Sequence, residues 1–202
     1  MTERLFATPE GIARAADLLS RGAIVAIPTD TVYGVAIAGS RPDRLGALFE
    51  LKRRPLDRRI PILVTGVAQI LGAGWAVGER AHRLVEQFWP GALTLVLPSA
   101  DGSTTQAFRA PDSSVALELI RASGPLFATS ANVSGEPDTL SGDDVLIAFA
   151  TQQDELGAVL DGGTVPGGVA STVIDLSARP ARILREGPIS REQLAATVEL
   201  DR

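Results

Sequence analysis

Cysteine is absent from this 202-residue chain, and its absence excludes several classes of protein. Disulfide scaffolds, zinc ribbons, iron–sulfur clusters and cysteine nucleophiles all require it. The only histidine, His82, falls on the polar side of a predicted surface helix, which argues against a histidine-based triad or a histidine-rich metal site. No apolar run resembles a signal peptide or reaches membrane-spanning length. We therefore expect a cytoplasmic protein that has no contact with a membrane.

Aromatic residues are also scarce, at 4%, whereas hydrophobic residues of all kinds make up 45% of the chain. The core must therefore consist mainly of Ala, Val, Leu and Ile. A chain of 202 residues suffices for one substantial core and is short for two. We expect a single domain over residues 1–202. The net charge of −5 argues against a protein that coats nucleic acid non-specifically, because such proteins are basic.

Lysine occurs once. Of the 19 basic residues, only Lys52 is not arginine. It begins a basic run that also contains Arg53, Arg54, Arg58 and Arg59. A run of this kind can simply be a solvated loop. A chain that otherwise uses only arginine can also keep a lysine where a compact ammonium is needed, so Lys52 is the first basic residue to test.

Helical and strand-like patterns alternate along the whole sequence. Thr8 and Pro9 form a helix start, Gly22 ends that helix, and Ser190 opens a capping box. Further helices are expected at residues 42–49, 79–88, 115–121 and 145–150. Short apolar runs predict strands at residues 23–27, 60–64, 93–97, 125–128, 158–160, 172–176 and 182–184. The class is therefore α/β or α+β with a mixed sheet. The glycine-rich stretch 161–170 is a long loop of the kind that is often functional.

Polar clusters follow the ends of these strands, where open α/β sheets bind ligands. They are PTDTVYG (28–34), KRRP (52–55), TQAFRAP (105–111), SANVSG (130–135), and ST (171–172) with REG (185–187). Each has a structural alternative: Thr and Asn side chains can bond their own backbone, and arginines can form structural ion pairs. Together they supply many hydroxyls, one lysine, several arginines and few carboxylates. That inventory suits a ligand with phosphate and carboxylate groups.

Nucleotide-binding signatures of other kinds are missing. The sequence contains neither a phosphate-binding P-loop nor a complete G-x-G-x-x-G after a strand, and it contains no G-x-S-x-G elbow. The motifs that are present are, in chain order, PTDTVYG, K-x-R-P, W-P-G-x-L-T, R-x-P, SAN-x-SG, STV-x-D and LR-x-G. In this order and spacing, from about residue 24 to 187, the chain resembles the YrdC-like threonylcarbamoyl-AMP synthases.

The resemblance implies a fold and an activity. The fold is a twisted mixed β-sheet flanked by helices with an open, positively lined central cavity, of the YrdC/RibB-like type, in its short single-domain form. The activity is nucleotidyl transfer: L-threonine, bicarbonate or CO2, and ATP with Mg²⁺ give threonylcarbamoyl-AMP and pyrophosphate. A tRNA threonylcarbamoyl transferase complex would use this product for N6-threonylcarbamoyladenosine, and direct contact with tRNA is left open. Mg²⁺ would be held mainly by the ATP phosphates, with no protein ligand.

The resemblance also implies roles for individual residues. Lys52 and Arg54 correspond to catalytic ligands of the ATP phosphates. The residues implied to contact L-threonine are Thr29, Tyr33, Arg109, Ser130 and Ser171. The residues implied to contact the nucleotide, besides Lys52 and Arg54, are Thr105, Asn132 and Arg185. Thr65 is a departure, because many members have histidine there.

Two other functions fit parts of the sequence. The basic run could grip RNA in a binding module without catalysis, although the net charge of −5 opposes this. The chain could instead be a carbamoyl-transferring relative of the kind found within hydrogenase-maturation proteins. Those proteins carry zinc-binding and phosphatase-like domains, and this chain has neither the cysteines nor the length for them.

Overall fold

The computed structural model describes residues 2–53, 60–152 and 154–201. The helices are α1 (Pro9–Ser20), α2 (Leu45–Lys52), α3 (Val67–Gly72), α4 (Glu79–Phe88), α5 (Ser114–Ser123), α6 (Gly142–Ala148) and α7 (Arg191–Ala195). The strands are β1 (Glu3–Phe6), β2 (Ile24–Ile27), β3 (Gly34–Ala38), β4 (Ile62–Leu63), β5 (Leu93–Pro98), β6 (Thr105–Arg109), β7 (Leu126–Ser130), β8 (Leu156–Asp161), β9 (Thr172–Asp175) and β10 (Arg182–Arg185). A 3-10 turn, Pro42–Arg44, precedes α2. None of the helices in these ranges is long and apolar enough to cross a membrane.

The strands of the described ranges join in one mixed sheet. Their order is β1-β8-β2-β3-β7-β4-β6-β5-β9-β10. Four neighbouring pairs are parallel (β1 with β8, β8 with β2, β4 with β6, β5 with β9), and the other five are antiparallel. The predicted α/β fold with a mixed sheet is therefore confirmed.

Helices cover both faces of the half of the sheet that contains β2. Because side chains alternate along a strand, Val25 and Ile27 of β2 pack in the cluster with α1 and α5. Ile24 and Ala26 point the other way, into the cluster with α2 and α6. This explains why β2 reads as an uninterrupted apolar run, which is typical of a strand buried on both faces.

The other half of the sheet is covered on one face. Leu95 of β5, Phe108 of β6 and Ile174 of β9 pack with residues of α3, α4 and α7. The alternate residues of these strands, such as Val96 and Ala107, line an open cavity instead. The cavity therefore exists because no helix of the described ranges packs on this face of the sheet.

Several sequence predictions agree with the structure, and four elements were not foreseen. The helix at 79–88 has its predicted bounds, the Thr8 side chain caps α1, and the Ser190 capping box is present. The elements β1, β3, β6 and α3 were missed. In β6 the sequence TQAFR is too polar for an apolar-run criterion, because its outward-facing residues line the cavity. In α3 the surrounding glycines masked a helix of six residues.

Candidate functional site

A cavity of about 410 Å³ opens on the uncovered face of the sheet. Its floor comes from residues of strands that are neighbours in the sheet, and its edge comes from the loop before β3 and the segment before β9. The strand residues that line it are Gly34, Leu63, Thr94, Val96, Thr105, Ala107, Arg109, Ala128, Thr129, Ser130, Val173, Asp175, Leu184 and Arg185. The lining residues outside strands are Thr29, Thr31, Val32, Tyr33, Pro61, Ala170 and Ser171. This volume and the mixture of apolar wall and convergent polar groups are typical of a small-molecule site.

The structure brings most of the predicted residues to this cavity. Seven of them line it: Thr29, Tyr33, Thr105, Arg109, Ser130, Ser171 and Arg185. Lys52 and Asn132 lie directly behind Ser130 and are not among the lining residues that the structure describes. Arg54 falls outside the described residues, so its predicted role stays a prediction. His82 is exposed on α4, away from the cavity lining.

Arg109 is a buried cation with three fixed partners. Its Nε donates to the Gly91 carbonyl at 2.9 Å, one terminal nitrogen donates to Thr31 Oγ1 at 2.9 Å, and the other pairs with Asp30 Oδ1 at 2.6 Å. Burial lowers the pKa of Arg109, although the Asp30 carboxylate opposes this. Arginine has five N–H donors, so one N–H on each terminal nitrogen remains. A bidentate contact with a carboxylate needs two such donors.

Arg185 lies at the rim of the same cavity without an ion pair in the part of the chain that the structure describes. Its Nε donates to the Ser171 carbonyl at 2.9 Å, and a terminal nitrogen donates to Ser171 Oγ at 3.1 Å. Burial, followed by the nearby charge of Arg109, lowers the pKa of Arg185. Two guanidinium groups thus repel each other across the cavity, and a bound anion would relieve that repulsion.

The loop before β3 is held by a relay of hydroxyls. Thr29 Oγ1 donates to the Val32 carbonyl at 2.7 Å, because a carbonyl can only accept. Since that uses its one hydrogen, Thr31 must be the donor in the 3.0 Å contact between Thr29 Oγ1 and Thr31 Oγ1. Thr31 Oγ1 in turn accepts from Arg109. The hydroxyl hydrogen of Thr29 is therefore engaged within the loop, as the turn interpretation of PTDTVYG expects.

Lys52 supports the segment that follows β7. It is 1% exposed, and its ammonium donates to the backbone carbonyl of Ser130, to that of Asn132 at 2.6 Å and to Asn132 Oδ1 at 3.1 Å. Ser130 Oγ donates to the same Asn132 oxygen at 2.6 Å. The single lysine thus fixes Ser130 against the cavity from behind, and its charge lies one residue away from the lining.

Tyr33 is held by the glycine-rich loop that follows β8. Its hydroxyl donates to the Gly163 carbonyl at 2.7 Å and accepts from the Gly162 N–H at 3.1 Å. Burial is the main cause that raises the pKa of Tyr33 to about 12. Burial opposes ionisation of the adjacent Asp161, but bonds from the Gly163 N–H and Arg4 outweigh it and lower the pKa of that carboxyl. Tyr33 is therefore held at both ends: its side chain is 0% exposed and packs in the cluster with α2 and α6, while its hydroxyl faces this loop.

Two glycines allow backbones to meet beside the cavity. A Cβ on Gly167 would lie 1.8 Å from the Thr31 carbonyl oxygen, and one on Gly187 would lie 2.4 Å from the Thr172 nitrogen. The glycine-rich loop can therefore rest on the loop before β3. The chain after β10 can likewise rest on the segment that carries Ser171. The close approach at Gly187 explains why the LR-x-G motif ends in glycine: a side chain there would collide with the backbone of Thr172.

Sequence reasoning missed three residues that belong to this site. Asp30 pairs with Arg109, Thr31 accepts from Arg109, and Thr94 bonds to Ser171. All three stood inside motifs that the sequence analysis quoted. The available signal was their position at strand ends, but their partners are distant in sequence and only the fold reveals them.

The fold and the cavity define an α/β protein that can bind an anionic small molecule on an open face of a mixed sheet. A family model named Sua5_yciO_yrdC and described as "Telomere recombination" matches residues 17–187. The chain belongs to this family, as the motifs predicted.

Similar proteins come from bacteria and archaea. The threonylcarbamoyl-AMP synthase of Bacillus subtilis is 36% identical over 208 residues, which cover 98% of this chain and 59% of that protein. A putative threonylcarbamoyl-AMP synthase of Mycobacterium tuberculosis is 34% identical, covering 95% of this chain and 90% of that one. The crystal structure of Pyrococcus abyssi Sua5 complexed with L-threonine has a TM-score of 0.88 at 32% identity. It covers all of this chain and 62% of that one. This chain thus spans about three fifths of two of these relatives.

Proposed function

We propose that this chain is an L-threonylcarbamoyladenylate synthase, a nucleotidyltransferase that makes threonylcarbamoyl-AMP and pyrophosphate from L-threonine, bicarbonate or CO2, and ATP. The observation that carries the proposal is the convergence of Arg109 and Arg185, from separate strands, on one hydroxyl-lined cavity. The names of the relatives and the L-threonine complex of the Pyrococcus protein support the choice of reaction and amino acid. The product would pass to a tRNA threonylcarbamoyl transferase complex for N6-threonylcarbamoyladenosine formation.

The amino acid is placed at the end of the cavity where Arg109 lies. The two remaining N–H donors of Arg109 suit a carboxylate, and Ser130 and Ser171 add hydroxyls at the lining. The Asp30 partner cancels part of the charge of Arg109 but also fixes the orientation of its guanidinium. Thr29, whose hydroxyl hydrogen is engaged, would act here chiefly by shaping the loop.

The nucleotide is placed towards Arg185 and Thr105. Arg185 has no counter-charge at ion-pair distance among the described residues, so it is the cation with the most to gain from a phosphate. Thr105 lines the wall beside apolar residues that can contact a base, such as Val96 and Leu184. Lys52 and Asn132 would act on the phosphates from behind Ser130, together with Arg54.

The reaction brings two anions together. The amine of threonine and CO2 give a carbamate with loss of a proton; a carbamate oxygen then forms a bond to the α-phosphorus of ATP. The bond from that phosphorus to the bridging oxygen breaks, and pyrophosphate leaves with the electron pair. The site lowers the barrier by holding both anions between cations in a fixed geometry.

Mg²⁺ fits this site as a partner of the nucleotide. Asp175 is the one carboxylate among the lining residues that the structure describes, and those residues hold no group of three or more metal-ligating side chains. Magnesium bound to ATP commonly uses one or two carboxylates besides phosphates and water. Bound there, it would neutralise phosphate charge, while Arg109 and Arg185 orient the two substrates.

Pyrophosphate release tests the proposal directly. The purified chain is incubated with ATP, Mg²⁺ and bicarbonate, with L-threonine, L-serine or L-valine in turn. Release that requires both L-threonine and bicarbonate supports the synthase, and Arg185→Ala should slow it about a hundredfold through loss of one charged contact. Arg121→Ala, on the exposed end of α5, is the matched arginine control and should be as active as wild type. Pyrophosphate release that is independent of the amino acid would contradict the proposal.

A further inference from the structure

Thr94, in the W-P-G-x-L-T motif, occupies a position to which no role has been given. It lies on β5 opposite Val173 of β9, is 2% exposed, and lines the cavity. Its hydroxyl oxygen is 2.8 Å from that of Ser171, which also accepts from Arg185 at 3.1 Å. The neighbouring Thr172 hydroxyl differs, because it donates to a main-chain carbonyl, that of Ile189, at 2.8 Å.

The hydroxyls of Thr94 and Ser171 together have one more hydrogen than their mutual hydrogen bond uses. The hydroxyls of Thr94 and Ser171 carry two hydrogens, and the bond between them uses one, whichever residue donates. The guanidinium of Arg185 only donates and cannot take the second. Neither hydroxyl has another acceptor in the part of the chain that the structure describes. One hydrogen therefore remains without an acceptor there, and both residues line the cavity.

The surroundings of the pair define the acceptor. Arg185 donates directly to the Ser171 hydroxyl. Arg109 belongs to the strand beside Thr94: Phe108, which precedes Arg109 on β6, pairs with Leu95, which follows Thr94 on β5. A donor beside two cations favours an anionic oxygen. The loop hydroxyl of Thr29 differs, because its hydrogen is already given to a carbonyl.

We propose that Thr94 and Ser171 form a hydroxyl pair that donates one oriented hydrogen bond to an anionic oxygen of a substrate, making Thr94 a further substrate-binding residue. The oxygen belongs to the carboxylate of the amino acid or to a phosphate of the nucleotide. The proposal deepens the synthase function and rests on it. In either donor arrangement, each hydroxyl needs the other to aim the remaining hydrogen. The two residues should therefore behave as one unit.

A double-mutant cycle tests the pair. The variants Thr94→Val, Ser171→Ala and the double variant are compared with wild type and with Thr94→Ser, which keeps the hydroxyl. Binding of L-threonine and of a non-hydrolysable ATP analogue is measured separately by calorimetry, kcat and KM are determined, and thermal melting checks the fold.

We expect Thr94→Val to weaken binding of one of the two ligands by about tenfold, the loss expected for one hydrogen bond to a charged group. KM for that ligand should rise more than kcat falls, Thr94→Ser should restore most of the affinity, and the double variant should bind about as weakly as the weaker single variant. The ligand that is affected identifies the oxygen.

Four results would overturn the inference. Wild-type affinity of Thr94→Val for both ligands would remove Thr94 from binding, and additive losses in the double variant would separate it from Ser171. Equal losses for Thr94→Ser and Thr94→Val would reveal a packing role. A wild-type chain that binds the ligands but releases no pyrophosphate would end the proposed function alone, and one that binds neither ligand would end both.

Discussion

Tyr33 gives a sharp test of how the cavity wall is built, because it is the only tyrosine of the chain. Its side chain is fully buried, and burial raises the pKa of Tyr33 from the ordinary value near 10 to about 12. The neutral hydroxyl is thus favoured in the folded state. Its contribution to the free energy of unfolding is present below about pH 10 and is lost as the pH rises to about 12. The difference between the two pKa values corresponds to about 2–3 kcal/mol.

Two measurements on one sample follow this effect. Near-ultraviolet absorbance reports tyrosinate during an alkaline titration, and far-ultraviolet circular dichroism reports whether the chain is still folded. Tyrosinate should appear only well above pH 10 or together with unfolding. Urea unfolding should show a loss of stability between about pH 10 and about pH 12 that Tyr33→Phe does not share. If tyrosinate forms at the ordinary pKa in a folded chain, the hydroxyl is not enclosed by the glycine-rich loop.

Three further predictions concern other contacts of the site. Lys52→Met should lower the free energy of unfolding in urea by about 2–4 kcal/mol, because it strands buried carbonyls of Ser130 and Asn132; unchanged stability would contradict this. Arg109→Lys should raise the KM for L-threonine about tenfold, since an ammonium lacks the planar fork, and an unaltered KM would exclude the carboxylate contact. Asp161→Asn should destabilise the protein at neutral pH, and the difference should shrink as the pH falls below about 4, because the pKa of this carboxyl is lowered in the fold; a difference that stays constant in acid would refute it.

The sequence was informative wherever local pattern decides structure. Apolar runs placed β2, β7 and β8 of the doubly covered half of the sheet, although β3 was missed, and the capping residues placed the starts of α1 and α7. The ordered motifs placed seven residues that line one cavity. These predictions succeeded because periodicity, helix caps and strand ends depend on residues that are close together in the chain.

Contacts between distant segments could not be predicted. Asp30 and Arg109 are 79 residues apart, and the residues near either of them in the sequence do not indicate that the two form an ion pair. Lys52 was expected to face phosphates, but the fold buries its ammonium under the segment after β7. The contact between Thr94 on β5 and Ser171, the residue before β9, likewise depends on the fold, because the two residues are far apart in the sequence.

Incorporation of labelled bicarbonate would test the proposed reaction most directly. The chain is incubated with carbon-labelled bicarbonate, L-threonine, ATP and Mg²⁺, and the nucleotide products are separated by chromatography and identified by mass. The account predicts one labelled product that contains both threonine and AMP, formed together with one pyrophosphate per label. If ATP yields ADP and phosphate instead, or if pyrophosphate appears while no label enters a nucleotide, the chain does not carry out this reaction.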